Sequence, residues 1–401
     1  MKKLNLNTQI TLIGAFTLLL TFSSCSSGTE KKANGSSLPI IDLVEAYDNR
    51  TEVSLSIFAE SIEYIPLETV EESLVGNYPS LYLADDKIIS IVFRQIYTFD
   101  KKSGKFIEEI RGYGEGPNEY LSTKKSLEFN EEDEVFYVAK KPSLIWQLNS
   151  SGEKTGEFEI PTDENYIMGF SKLSDNLFVG YNANPTCEQK NKLTIFDTKG
   201  KVLKTFPNRQ SCIHDMSWGI SFDTDEGRFY RDRGNVYFKE TYNDTLFYVS
   251  DDTLSAHLIF DSKNQSIPYE DKTKYPTLES RANFLQPSVI DITQQHIFFQ
   301  LTTKGQTFNG VFNKETRETS LSDIGRTEIH GFVNDLDNFL PFVPHYATDN
   351  NQLVGYIEAP DVLAWFDENP EKAAQLPERL KKLGEIKADD NPVVMIVNLK
   401  E

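Results

Sequence analysis

Cysteine is scarce in this chain, with three in 401 residues. A chain of this length buries a large core without a disulfide or metal staple, so the scarcity carries no penalty. Cys187 and Cys212 permit one bridge, and two buried free thiols fit the sequence equally well. Basic residues are also short: 41 Lys and Arg stand against 61 Asp and Glu, a formal charge of −20. No general nucleic-acid binder has that balance, because phosphates must be neutralised by a basic footprint. Hydrophobic residues make up 39% and mean hydropathy is −0.43, which excludes a multi-span membrane protein. The five histidines, His214, His257, His296, His330 and His345, form no HExxH and no i,i+4 pair, so a zinc hydrolase is not indicated. No GxSxG elbow occurs; Ser221, in Gly219-Ile220-Ser221-Phe222-Asp223, lacks the second glycine. What the chain has in quantity is aromatic residues, 27 Phe and 18 Tyr against 4 Met. Such residues favour pleated, half-buried surfaces, so the composition leans to β structure.

The first 24 residues read as a secretory leader. Lys2 and Lys3 precede an apolar stretch from Ile10 to Phe22, and Ser23 and Ser24 precede Cys25. The arrangement resembles the bacterial lipobox, with Phe22 where Leu is commonest, and implies lipidation at Cys25. Residues 25–37 are small and polar and are expected to be a flexible tether. Loss of residues 1–24 removes two lysines and no acid, leaving −22 on the exported chain. Such a body should stay soluble and be repelled by anionic membrane surfaces.

A repeat organises the remainder. Ile96-Tyr97-Thr98-Phe99 runs into Asp100 and then Gly104. Ile145-Trp146-Gln147-Leu148 runs into Asn149 and Gly152, and Leu193-Thr194-Ile195-Phe196 into Asp197 and Gly200. The three glycines are 48 residues apart. Each unit reads as a strand, an Asx turn, and a glycine at positive φ before the next strand. Degenerate copies end at Ser250-Asp251-Asp252 and Asn313-Lys314-Glu315, and further strands are expected upstream of the hairpins, for example over Leu127 to Val138. Several short strands per unit of about 50 residues predict propeller blades. Division of residues 62–400 by 48 gives about seven units, whereas the longer later spacings favour six. The strands near Ile62 and over 392–400 are expected to share the closing blade. Residues 361–384 are expected to be a helical insertion, with Asp361 as N-cap, a restart at Pro370, an apolar stripe of Leu376, Leu380 and Leu383, and a stop at Gly384.

Several segments then carry a family resemblance: Ile62 to Glu68, Ile96 to Tyr120, Lys239 to Tyr248, Asn334 to Asp337, Leu340-Pro341-Phe342 and Asp390 to Met395. Together they resemble the six-bladed β-propeller lipoproteins abundant in Bacteroidota, a largely uncharacterised family similar to NHL-type propellers. The resemblance covers about residues 40–401. It implies an all-β six-bladed propeller over 38–401, an outer-membrane lipoprotein on the periplasmic or the surface side, and partner binding more than catalysis.

Candidate ligand contacts sit in loops, where rigid scaffolds usually carry binding groups. Arg111, Tyr113, Asn118 and Glu119 belong to a glycine-rich loop that is not a GxGxxG fingerprint; the loop could equally serve only to turn the chain between blades. Asn243-Asp244 and Asn334-Asp335 are candidates for a polar ring, or for capping their own turns. Asp223-Thr224-Asp225-Glu226-Gly227 departs from an EF-hand, since Gly227 comes one position early and Gly234 holds the twelfth place. A propeller channel can still hold Ca²⁺, and no other cofactor is expected. Two functions follow. One is a non-catalytic, lipid-anchored body, monomeric, that binds a glycan, peptide or envelope protein and no nucleic acid. The alternative is a carbohydrate- or lactone-active hydrolase or lyase at the channel mouth.

Overall fold

Short runs of alternating and continuous apolar residues build six small sheets, each centred on four antiparallel strands, in sequential order in five of them. The computed structural model describes residues 38–400 except 77–78, 85, 93–94, 111, 113, 122–128, 132, 142, 162–166, 214–225, 276 and 324–330. The leader, Cys25 and the tether lie outside the described residues. Blade 1 spans 80–109, blade 2 129–159, blade 3 167–207, blade 4 227–261 and blade 5 286–321. Blade 6 combines Pro344–Ala347, Gln352–Ile357 and Val393–Leu399 with an outer strand, Ala59–Pro66, from the other end of the chain. The first strands of the blades pack side by side around the axis. The protein is a six-bladed β-propeller.

The closing blade removes an open edge from the ring. Ala59–Pro66 pairs antiparallel with Val393–Leu399 from Ala59↔Leu399 to Pro66↔Val393, so unpaired strand groups face each other instead of solvent. Second strands lie between neighbours and read as continuous apolar runs; Ile88 to Val92 is buried throughout. Outer strands such as Phe106–Glu109 are largely exposed. Rings fill the space within and between blades, as where Phe158 stacks on Phe178 at 4.0 Å and meets Phe170 edge-on at 5.2 Å.

The repeated turn forms as its residues dictate. Asp100, Asn149 and Asp197 accept backbone N–H bonds from Ser103, Ser151 and Lys199 at 2.8, 3.1 and 2.9 Å. Gly104, Gly152 and Gly200 have φ of +69°, +75° and +72°. Each glycine also abuts the preceding blade, at Pro66, Ile110 and Glu159 respectively. A Cβ on Gly104 would stand 2.0 Å from the Pro66 carbonyl oxygen, whereas one on Gly200 would meet nothing nearer than 3.3 Å. Gly104→Ala is therefore expected to cost about 2–4 kcal/mol in urea unfolding, and Gly200→Ala about 1–2. Equal losses would show that φ alone, and not the blade contact, requires the glycine.

The N-terminal strap is the element the sequence pattern did not reveal. Ile40–Asp42 adds a fifth, parallel strand to blade 4. Asp42 caps the helix Leu43–Asp48, and Thr51 and Ser54 bridge to Ser322 and Val333 before the chain enters blade 6. The insertion differs from expectation at both ends. Its first helix is Ala359–Glu368, with Glu358 as N-cap, because Pro360 fits the first turn and Asp361 lies inside it. Gly384 does not stop a helix; it sits in the 3₁₀ turn Lys382–Glu385, where a Cβ would lie 3.3 Å from the Phe366 ring. Leu376, Leu380 and Leu383 are buried with Trp365, Phe339 and Leu340. The stretch read as one strand over Leu127 to Val138 is two strands, Phe129–Asn130 and Val135–Lys141, separated by a turn in which Glu134 has φ of +49°. Of the two cysteine alternatives the structure holds the bridge: Cys187 and Cys212 are bonded, Cα atoms 5.3 Å apart, joining the turn after Leu177–Asn182 to the chain that leaves blade 3.

Candidate binding site at the channel mouth

Antiparallel order gives the ring two unlike faces. One carries the turns from first to second strands. The other carries the turns from second to third strands and the connections between blades. On the first face the turn 348–351 of blade 6 reaches across the axis. The Asp349 N–H donates to the Glu131 carboxylate of blade 2 at 2.5 Å, and the Asp349 carboxylate accepts the Arg233 N–H of blade 4 at 2.7 Å. Arg233 Nη1 also donates to Gln294 Oε1 of blade 5 at 2.5 Å. Four blades thus meet at one exposed arginine and one aspartate.

Two adjoining depressions flank that turn and share Arg233 and Asn350. The first, about 520 Å³, is bordered by Lys101, Glu131, Glu134 and Asp349. The second, about 540 Å³, is bordered by Glu60, Gln294, Gln295, Asn351 and Asn398. Both lie within the range of small-ligand sites, though their walls are polar.

Beneath the mouth the carboxylates are buried. Asp291, on the first strand of blade 5, accepts N–H bonds from Ile292 and, across to blade 6, from Ala347, both at 2.8 Å. Burial pushes its carboxyl up to about 8, and the nearby Glu131 and Asp349 add to the shift. Glu131 is pushed up to about 7, chiefly by burial, against the opposing bonds from Asp349 and the Tyr346 hydroxyl. Tyr346 meets Tyr82 of blade 1 edge-on at 5.3 Å. Every one of these acids holds neighbouring backbone or a neighbouring blade. Burial, with Lys314 nearby, pushes His257 and His296 down to about 4, so both are neutral at pH 7. Among the described residues no three His, Cys, Asp or Glu side chains are grouped to hold a metal ion.

Of the candidate ligand contacts read from the sequence, the described ones lie on the opposite face. Arg111 and Tyr113 are outside the described residues, as are Ser221, His214, His330 and residues 223–225 of the acidic turn. Asn118 and Glu119 are in the connection from blade 1 to blade 2. Glu119 Oε2 accepts the Gly116 N–H at 2.8 Å, and Lys140 Nζ donates to the Glu119 carbonyl at 2.6 Å. Asn243 donates to Gln210 at 3.0 Å and caps Thr245. The Asp244 carboxylate accepts from Ser262 and Ser266 at 3.2 and 3.3 Å. Asn334 is buried and donates to Tyr64, Asp337 and the Leu340 carbonyl, while Asp335 accepts from the Ser56 N–H and hydroxyl. The two Asn-Asp pairs are each closed on their own surroundings. Glu131, Asp349 and Arg233 carried no motif; Glu131 was hidden inside an apparent continuous strand.

Comparison with known proteins adds one decisive match. A family model described as a domain of unknown function, DUF4934, matches residues 38–398. The chain belongs to the DUF4934 family. Two solved structures resemble the DUF4934 propeller over 88% of its length. One, a Bacteroides fragilis protein inferred to be exported, has a TM-score of 0.65 and 16% identity, and 98% of that chain is covered. The other, a DUF4221-family member from Bacteroides vulgatus, has a TM-score of 0.49 and 12% identity, with 99% covered. At such identities the first likeness concerns the fold alone. No curated protein matches this DUF4934 chain. Among its described residues no helix is long and apolar enough to cross a membrane.

Proposed function

We propose that this protein is a non-catalytic propeller of the cell envelope that binds a soluble partner at the channel mouth. The observation that carries the reading is the pair of polar depressions on either side of the blade 6 turn, joined through Arg233 and Asn350. A rigid ring that presents loops from several blades to one cleft is suited to recognition. Envelope location is supported by the leader-like N-terminus and by the inferred export of the Bacteroides fragilis neighbour. Lipidation at Cys25, and through it attachment to the outer membrane, belong to the same proposal. The loops around Asn118-Glu119, Asn243-Asp244 and Asn334-Asp335 remain a second surface for an envelope protein.

The test is a screen of the purified protein against soluble glycans and peptides, beside an activity panel of glycosides, lactones and esters. A ligand whose affinity falls at least tenfold in Arg233→Glu is expected, with no turnover. Turnover by the wild type would overturn the non-catalytic reading, and a ligand indifferent to Arg233→Glu would overturn the mouth. Protease shaving of intact cells reports the side of the membrane.

The second reading is a hydrolase or lyase acting on carbohydrate or lactone. It is favoured by one observation, the convergence of Glu131, Asp291 and Asp349 beneath the mouth. Against it, each carboxylate is engaged by backbone N–H groups.

A further inference from the structure

We infer that the channel mouth selects an uncharged oligosaccharide; this rests on the reading above, that the mouth is where the protein binds. No positive charge is in excess at the mouth. The Arg233 backbone N–H donates to the Asp349 carboxylate and its guanidinium to Gln294, while the Glu131 carboxylate accepts from the Asp349 backbone N–H and the Tyr346 hydroxyl. The first depression adds Lys101 and Glu134, and the second adds only Glu60, so neither wall carries the positive excess that a phosphate, sulfate or uronate would need. Apolar surface is limited to Leu83, Ala84 and Leu399, and no aromatic ring borders either depression among the described residues. A lipid chain or an apolar peptide side chain would find no pocket there.

What the walls do offer is carboxamides. Gln352 and Asn398 hold each other at 2.7 Å, and Asn351 is tied to the Leu399 and Lys400 carbonyls. Gln295 and Asn350 have no side-chain hydrogen bond among the described residues, and Gln294 uses only its oxygen, towards Arg233. Each free carboxamide presents a donor and an acceptor side by side. A pair of vicinal hydroxyls presents the same two functions and can satisfy both at once. Asn350 borders both depressions, so a chain of several sugar units would lie across the blade 6 turn with Asn350 at its middle.

The experiment titrates the purified protein calorimetrically with three probe sets: neutral oligosaccharides, their sulfated or uronic counterparts, and peptides. Wild type is expected to bind neutral oligosaccharides with an affinity that changes less than twofold between 50 and 500 mM NaCl. Gln295→Ala combined with Asn350→Ala should weaken that binding at least tenfold, with the circular dichroism spectrum and unfolding midpoint unchanged. Binding of anionic sugars or peptides alone, lost in Arg233→Glu, would overturn the ligand class and leave the mouth standing. Neutral-sugar binding untouched by both variants would overturn the mouth. No binding by any neutral probe would overturn the proposal.

Discussion

Lys192→Met is expected to destabilise the protein by about 3–5 kcal/mol, and adding Glu240→Gln should restore most of the loss. Lys192 is 5% exposed and Glu240 1%, and they form an ion pair between blades 3 and 4. Lys192 also donates to Gln210 at 3.1 Å and lies 5.3 Å from the centre of the Tyr269 ring, while the Tyr181 hydroxyl donates to Glu240 at 3.2 Å. A second buried pair, Lys272 with Glu226 at 2.6 Å, approaches the same ring. Without Lys192 the Glu240 carboxylate would stay buried with only neutral donors and the neighbouring Lys239, whose amine burial pushes down to about 8. The carboxamide introduced by Glu240→Gln would keep an acceptor for Tyr181 and remove the orphaned charge. Urea unfolding of the two single variants and the double variant closes the cycle. A single-variant loss under about 1 kcal/mol would mean that the pair is screened by water and does not hold the connection-bearing face together.

Asp291→Asn should reverse its effect with pH. In the wild type Asp291 and Glu131 have carboxyls raised from 3.8 and 4.5 to about 8 and about 7. Between the unfolded and folded values the folded chain holds more protons, so stability falls as pH rises from about 4 through 8. For Asp291 alone a rise of that size corresponds to a loss of roughly 5–6 kcal/mol. Asparagine does not titrate there, and its one oxygen can accept only one of the two N–H groups now bound, from Ile292 and Ala347. The variant should therefore be less stable than wild type at pH 5 by about 1–3 kcal/mol, the cost of one unsatisfied N–H. At pH 9 it should be the more stable of the two. Melting temperatures across pH 4–9 test this, and parallel curves would show that Asp291 is ionised throughout. Because Asp291 joins the first strands of blades 5 and 6, the same measurement reports how firmly the blade 6 turn is seated over the mouth.

The repeat was readable because its physics is local. Asp100, Asn149 and Asp197 cap their own turns, and the glycines after them take positive φ, so a few adjacent residues suffice to predict each hairpin. The strap was not readable, since Ile40–Asp42 is too short for any period and is a strand only because Leu254–Asp261 offers it an edge. The mouth was not readable for a related reason. Glu131, Arg233, Gln294 and Asp349 each look like an ordinary turn residue, and the turn at 131–134 was hidden by flanking β-prone residues. Conversely, Asn243-Asp244 and Asn334-Asp335 stood out as polar motifs, and their contacts tie their loops to neighbouring segments at Gln210, Ser262 and Ser56 as well as to Asp337.

Sequence by itself therefore determined the all-β class and the repeated hairpins, because alternation, Asx turns and glycine act over a few neighbouring residues; the pairing of the end strands followed only from the need of a ring of blades to close. Tertiary structure alone decided the cysteine bridge, the strap, and which polar side chains share a cleft. Those depend on closure of the ring, which brings turns more than 200 residues apart in sequence, such as 131 and 349, within hydrogen-bonding distance.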